Sequence, residues 1–71
     1  MKQLETWMMD WIDFNLYVFA ANNRASEQER QVVYEMRNHI FGSSKKPNSC
    51  GRCWRNTKAE VYKQYTKQKS S

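Results

Sequence analysis

Two cysteines stand three residues apart in the segment Cys50-Gly51-Arg52-Cys53. Two thiolates at this spacing can supply half of a zinc site, with His39 as a weaker third candidate ligand or with two more thiolates from a second copy of the chain. A redox pair is an alternative, because a helix N-terminus and Arg52 would stabilise a thiolate. A third interpretation is two reduced cysteines packed as small hydrophobes. We favour packed cysteines over zinc, and zinc over redox chemistry, because no strands of a thioredoxin-like framework are evident.

Basic residues concentrate around the same segment. Residues 43–71 contain eight basic residues and one acid, Glu60, for a charge of +7, whereas residues 1–42 contain four basic and six acidic residues, for −2, which together give the net +5. This asymmetry predicts an anionic partner for the C-terminal segment. Cations at a helix N-terminus are locally unfavourable because the helix dipole is positive there. A phosphate, a partner's carboxylate or the cysteine thiolates would offset them.

Nucleic acid is the favoured anionic partner, slightly ahead of an acidic protein surface. Aromatic and basic residues alternate along the C-terminal segment, and bases stack on exposed rings in many nucleic-acid-binding proteins. Rings at helical spacing more often belong to the core, so we assign Trp54 and Tyr65 inward and keep only Tyr62 as an exposed ring. The alternative is a solvated basic face that serves solubility. The candidate binding residues are Lys45, Lys46, Arg52, Arg55, Lys58, Lys63 and Tyr62.

Three helices account for the hydrophobic pattern of a single domain over residues 1–71. We predict helices over residues 3–21, 26–41 and 50–67, and therefore an all-α, three-helix domain. Ser26-Glu27-Gln28-Glu29 is a capping-box sequence that starts the second helix, and Gly42 suits the left-handed position after its end. In the third helix, Trp54, Val61 and Tyr65 form the inner stripe, with Thr57 or Lys58 between them.

The first predicted helix is apolar around most of its circumference. A helix of this kind must be covered on most sides, and two short companions can hardly do so alone. Self-association or docking on another protein follows, with a tightly packed monomer as the alternative. The expected partner interface contains Trp7, Trp11 and Phe14.

Several classes of function are excluded or disfavoured. The longest nearly unbroken apolar run, over residues 14–21, is too short to cross a bilayer, so no membrane role is expected. Residues 1–13 hold three acids and do not resemble a signal peptide, and two cysteines fall short of a secreted disulfide framework. We therefore expect an intracellular protein. One histidine and no glycine-rich phosphate loop leave little support for catalysis, so we predict a non-enzymatic protein.

The segment from Ile40 to Arg55 resembles one found in small accessory proteins of tailed bacteriophages. In both, a helix ends in a glycine, a lysine-rich loop follows, and Cys-x-x-Cys-apolar-Arg opens a last basic helix. The resemblance covers about sixteen residues and implies a phage product in the host cytoplasm or in the virion. The resulting prediction is a helical binding or assembly module whose basic helix engages nucleic acid. The alternatives are an adaptor or inhibitor of a host protein, docking through the first helix, and a structural component of the virion.

Overall fold

The computed structural model describes residues 2–20, 25–48 and 50–70, and within these ranges the chain is all-α with no strand. The helices are α1 (Thr6–Phe14), α2 (Glu27–Phe41) and α3 (Gly51–Lys69), and a short 3-10 helix (Leu16–Phe19) follows α1. The predicted fold class, a small three-helix domain, is confirmed.

Helix α2 has the start and the end that its sequence predicts. The Ser26 hydroxyl accepts a hydrogen bond from the Glu29 backbone N–H (3.2 Å), and the Glu29 carboxylate accepts one from the Ser26 N–H (2.8 Å). This reciprocal pair satisfies two donors that the first turn leaves free. At the other end, Gly42 adopts a left-handed φ of 65°, which a residue without a Cβ adopts at little cost.

The first helix is shorter than predicted, and the expectation of one helix over residues 3–21 is wrong within the described residues. Asn15 ends α1 because its side-chain amide donates to the Trp11 carbonyl oxygen (2.8 Å), the acceptor that its own backbone N–H would use in an α-helix. That N–H donates to Ile12 instead (3.0 Å), and the 3-10 helix begins. Ala21, the predicted last residue, lies outside the described residues.

Helix α3 begins one residue later and ends two residues later than predicted. Cys50 is its N-cap, and the Cys50 sulfur accepts a hydrogen bond from the Cys53 N–H (3.1 Å). The Cys50 N–H in turn donates to the side chain of Asn48 (2.9 Å), so the loop before the helix helps to define its start.

The core lies between α2, α3 and the two segments of the first helical region. Each element contributes, since α2 packs along α3 and the 3-10 helix packs against α3. The most deeply buried side chains are Ile12, Val18, Val33, Met36, Ile40 and Val61. The shift from α to 3-10 geometry after Asn15 accompanies the complete burial of Val18, at 0% exposure.

The first and last described segments are joined by a pair of hydrogen bonds. The Leu4 N–H donates to the side-chain oxygen of Gln68 (2.6 Å), and the Gln68 amide nitrogen donates to the Leu4 carbonyl (3.2 Å). A further backbone bond runs from the Lys2 N–H to the Ile40 carbonyl (3.0 Å). These bonds hold the residues before α1 against the ends of α2 and α3.

Candidate functional site

Helix α3 divides its residues between a buried stripe and an exposed basic face. The predicted inner residues Trp54, Val61 and Tyr65 are buried, which confirms the helical pattern, and Thr57 and Lys58 are buried with them. The opposite side is exposed over the length of the helix. Its basic members, which we call the α3 basic face, are Arg52, Arg55, Lys63 and Lys67.

The α3 basic face carries no neutralising carboxylate among the described residues. The ion pairs there are Arg37–Glu60 (2.7 Å) and Lys69–Asp13 (3.0 Å), and neither includes one of the four cations. Glu60 is the sole acid of α3, and its carboxylate is held by Arg37 at the edge of the helix. The four charges therefore create a positive electrostatic potential on the solvent-exposed side of α3.

Lys58 was predicted to bind an anion, and in the structure its charged group is instead bonded within the protein. Its side chain is buried, its ammonium donates to the Ala20 carbonyl (3.0 Å), and the charge lies 5.3 Å from the centre of the Trp54 ring. Burial lowers the pKa of Lys58, and the neighbouring positive charge of Arg55 lowers it further. Lys58 therefore belongs to the core, where its aliphatic stem packs and its charge is internally bonded.

Tyr62 is exposed, as predicted, and forms part of an aromatic row. Its ring lies 5.7 Å from Phe19 and 5.5 Å from Tyr65, and 40% of the residue remains accessible. A shallow cavity of about 360 Å³ runs beside these rings, bordered by Arg55 and Lys63 of the α3 basic face. The arrangement places an aromatic ring and two cations around one cavity, which suits the stacking of an unpaired base.

Lys45 and Lys46 lie apart from these residues. They border two cavities formed by α2 and the loop before α3, whereas Arg55, Lys58, Tyr62 and Lys63 border the cavity beside Phe19. The structure therefore divides the seven predicted residues into a loop pair and an α3 group, within which Lys58 is the one buried residue.

The tyrosine at the end of the aromatic row is tied to α1. The Tyr65 hydroxyl donates to the Asp13 carboxylate, which also receives the Lys69 ammonium (3.0 Å). The bond to Asp13 raises the pKa of Tyr65 to about 12, and the same bond, followed by the one from Lys69, lowers the pKa of Asp13. This network fixes the C-terminal half of α3 against the first helix.

The two cysteines lie at disulfide distance at the start of α3. Cys53 is exposed and Cys50 half-buried, so the interpretation of both as buried hydrophobes is wrong for Cys53. His39 is not their neighbour: its Nε2 contacts the Gln3 carbonyl (3.0 Å), and no group of three candidate ligands forms among the described residues. His39 as a third zinc ligand stays a prediction, as does a four-thiolate site shared by two chains.

The residues predicted to contact a partner share one face of α1. Trp7, Trp11 and Phe14 follow one another at spacings of four and three; Phe14 is 84% exposed and Trp7 47%, whereas Trp11 packs partly against the core. Leu16 and Tyr17 extend the exposed apolar surface onto the 3-10 helix. Trp7 and Phe14 are thus accessible, and Trp11 is accessible only in part.

Sequence reasoning missed three residues of these surfaces. Phe19 meets Tyr62 only because the 3-10 helix turns it toward α3, and Tyr34 and Arg37 border the loop lysines because α2 packs along α3. Their positions depend on contacts between distant segments, for which the local pattern carries no signal.

Comparison with known proteins assigns this chain to no family. No protein-family model, curated protein or solved structure matches this chain. Among the helices of the described residues, none is both long and apolar enough to cross a membrane.

Proposed function

We propose that this protein is a non-enzymatic binding module that holds nucleic acid on the α3 basic face. The observation that carries the proposal is the set of four exposed cations, Arg52, Arg55, Lys63 and Lys67, with no carboxylate partner among the described residues. Cations that have no internal partner are free to neutralise phosphates, and the release of counterions drives such binding.

The spacing of the four charges suits a polymer better than a small anion. Arg52 and Lys67 are fifteen residues apart in one helix, about 22 Å at the usual rise of 1.5 Å per residue. Over that distance a nucleic-acid strand presents several phosphates, whereas a small anion could meet only one or two of the cations. The length of the face therefore supports a strand laid along α3.

The aromatic row supports an unpaired region of that strand. Tyr62 borders the same cavity as Arg55 and Lys63, so a base could stack there while the flanking phosphates meet the two cations. Stacking of this kind contributes about 1–3 kcal/mol per base and tolerates any sequence. We therefore expect single-stranded nucleic acid to bind more tightly than duplex.

The test is fluorescence anisotropy with a labelled oligonucleotide over a series of salt concentrations. Four phosphate contacts on a single strand predict a slope of about −3 in log K against log salt. Replacing Arg52, Arg55, Lys63 and Lys67 together by glutamine should abolish binding. Lys2→Gln removes an exposed charge elsewhere and should leave the slope unchanged. Wild-type affinity in the quadruple variant would refute the proposal.

A protein partner is the second candidate function, favoured by the exposure of Phe14 and Trp7 on one face of α1. Such a partner would be a second copy of the chain, or another protein for which this one is an adaptor, an inhibitor or a virion neighbour. As part of this proposal, the protein is a phage product, as its resemblance to phage accessory proteins implies, and it acts inside the cell. Sedimentation should give a mass above the 8.6 kDa of one chain, insensitive to salt and lowered by Phe14→Ser. A monomer that captures no protein would refute it.

A further inference from the structure

The loop lysines border a cleft that the α3 basic face does not use. The cleft lies between α2, the loop over residues 43–48 and the first turns of α3, and has a volume of about 460 Å³. Tyr34 and Arg37 of α2 border one side, and Lys45 and Lys46 border the other. It is large enough for a small charged ligand.

The charges of this cleft are predominantly positive. Arg37 is neutralised by Glu60, which leaves Lys45 and Lys46 without a carboxylate partner among the described residues. An adjacent cavity of about 610 Å³ shares the two lysines but also contains Glu27 and Glu35 on its rim. An anion therefore meets a net positive charge in the cleft that Arg37 borders. In the adjacent cavity, the two glutamates balance the charge of the two lysines.

Tyr34 supplies an independent indication of a ligand. The residue is 3% exposed, and its hydroxyl is buried with no hydrogen-bond partner in the described part of the chain. Its ring is stacked 6.2 Å from Trp54, so the hydroxyl cannot easily turn away to water. Buried hydroxyls are nearly always paired, and an unpaired one is costly. Because Tyr34 borders the cleft, a ligand oxygen that displaced the atoms now covering the hydroxyl would accept from this donor.

The loop that carries the lysines is held in place by Asn38. The side-chain oxygen of Asn38 accepts from the Lys45 N–H (3.0 Å), and its nitrogen donates to the Lys45 carbonyl (2.8 Å). The Ser43 hydroxyl donates to the same oxygen of Asn38 (2.8 Å). The backbone at Lys45 is thereby fixed before any ligand arrives, which reduces the entropy lost on binding.

We propose that this cleft binds a phosphate-type oxyanion, with Lys45 and Lys46 supplying the charge and Tyr34 the buried hydrogen-bond donor. The same chemistry is presented by free phosphate and by the terminal phosphate of a nucleic-acid strand. The site is separate from the α3 basic face, so it does not depend on the function proposed above.

The test measures the binding of inorganic phosphate, and of oligonucleotides with and without a 5′-phosphate, by calorimetry and by NMR shifts of loop amides. Tyr34→Phe keeps the ring and removes only the hydroxyl. It should weaken phosphate binding about tenfold or more, because hydrogen bonds to charged groups are strong. The same variant should be at least as stable as the wild type, because it removes a buried hydroxyl that has no partner among the described residues.

Further variants separate this site from its neighbours. Replacing Lys45 and Lys46 by glutamine should abolish phosphate binding, whereas Lys67→Gln, on the exposed face of α3, should leave it intact. The quadruple variant of the α3 basic face should lose oligonucleotide binding and keep phosphate binding. Tighter binding of the 5′-phosphorylated strand than of its unphosphorylated form would support the terminal phosphate as the source, and binding of the free ion alone would support free phosphate. Absence of binding by both, or unchanged phosphate affinity in Tyr34→Phe, would overturn the proposal.

Discussion

Substitution of Lys58 tests whether α3 buries this lysine while its other cations face solvent. Truncation to alanine removes three methylenes of a buried stem, each contributing about 0.8 kcal/mol. It also removes the hydrogen bond to the Ala20 carbonyl, which contributes about 1 kcal/mol. Release of a desolvated ammonium offsets part of this loss, since burial lowers the pKa of Lys58. We expect Lys58→Ala to lower the free energy of unfolding by about 2 kcal/mol.

The assay is urea denaturation followed by tryptophan fluorescence. With a slope of about 1 kcal/mol per molar urea, the midpoint should fall by about 2 M. Lys63→Ala is the matched control, because Lys63 is exposed on the same helix and its loss should change stability by no more than about 0.5 kcal/mol. Lys58→Met keeps most of the stem and should lose less than the alanine variant.

Nucleic-acid binding should depend on Lys63 and not on Lys58, which is the reverse of their contributions to stability. Lys63→Ala should weaken binding and flatten its salt dependence, whereas folded Lys58→Ala should bind as the wild type does. If Lys58→Ala kept its urea midpoint and lost binding instead, Lys58 would have to be exposed in solution and the division of α3 would be refuted.

Three further predictions concern stability. Ser26→Ala removes the capping box and should cost about 1 kcal/mol, visible as a lower urea midpoint, and an unchanged midpoint would show that the cap contributes nothing. Gly42→Ala should cost about 1 kcal/mol from backbone strain alone, since no atom of the described residues lies within 4 Å of an added Cβ; a stabilised variant would contradict the left-handed geometry. The pKa of Tyr65 is raised from 10.0 to about 12 by its bond to Asp13, so at alkaline pH the stability from this pair should be complete up to pH 10.0 and lost as pH rises through about 12. The same bond lowers the pKa of Asp13, so this stability should also be lost in acid as Asp13 is protonated. Ultraviolet titration should show this late tyrosinate, with Asp13→Asn returning it toward 10.0; a normal titration in the wild type would disprove the bond.

The elements set by local chemistry were predictable from the sequence. The capping box at Ser26 and the glycine after α2 act within a few residues of themselves, and the inner stripe of α3 follows from helical spacing. Asn15 was harder, because apolar residues continue on both sides of it and only its side-chain bond to Trp11 ends the helix. A polar residue within an apolar run was the available signal.

The candidate site was only partly predictable, because part of it depends on contacts between residues far apart in the sequence. Exposure of Tyr62 and of the four cations of α3 follows from the period of the helix. The burial of Lys58 depends on Ala20, thirty-eight residues away, and the separation of the loop lysines depends on the packing of α2 along α3. Charge and spacing identify which residues are cationic, but only tertiary contacts decide which of them face solvent together.

The paired hydrogen bonds between Leu4 and Gln68 constrain when the chain can finish folding. Their two residues are separated by sixty-four positions, so a ribosome makes Leu4 long before its partner exists. Until the last turn of α3 has emerged, the polar backbone of Leu4 has only water to bond, and α1 lacks one of its attachments. A nascent chain stalled before Gln68 should therefore leave its N-terminal segment accessible to proteases and chaperones. Once the whole of α3 has been released, that segment should become protected.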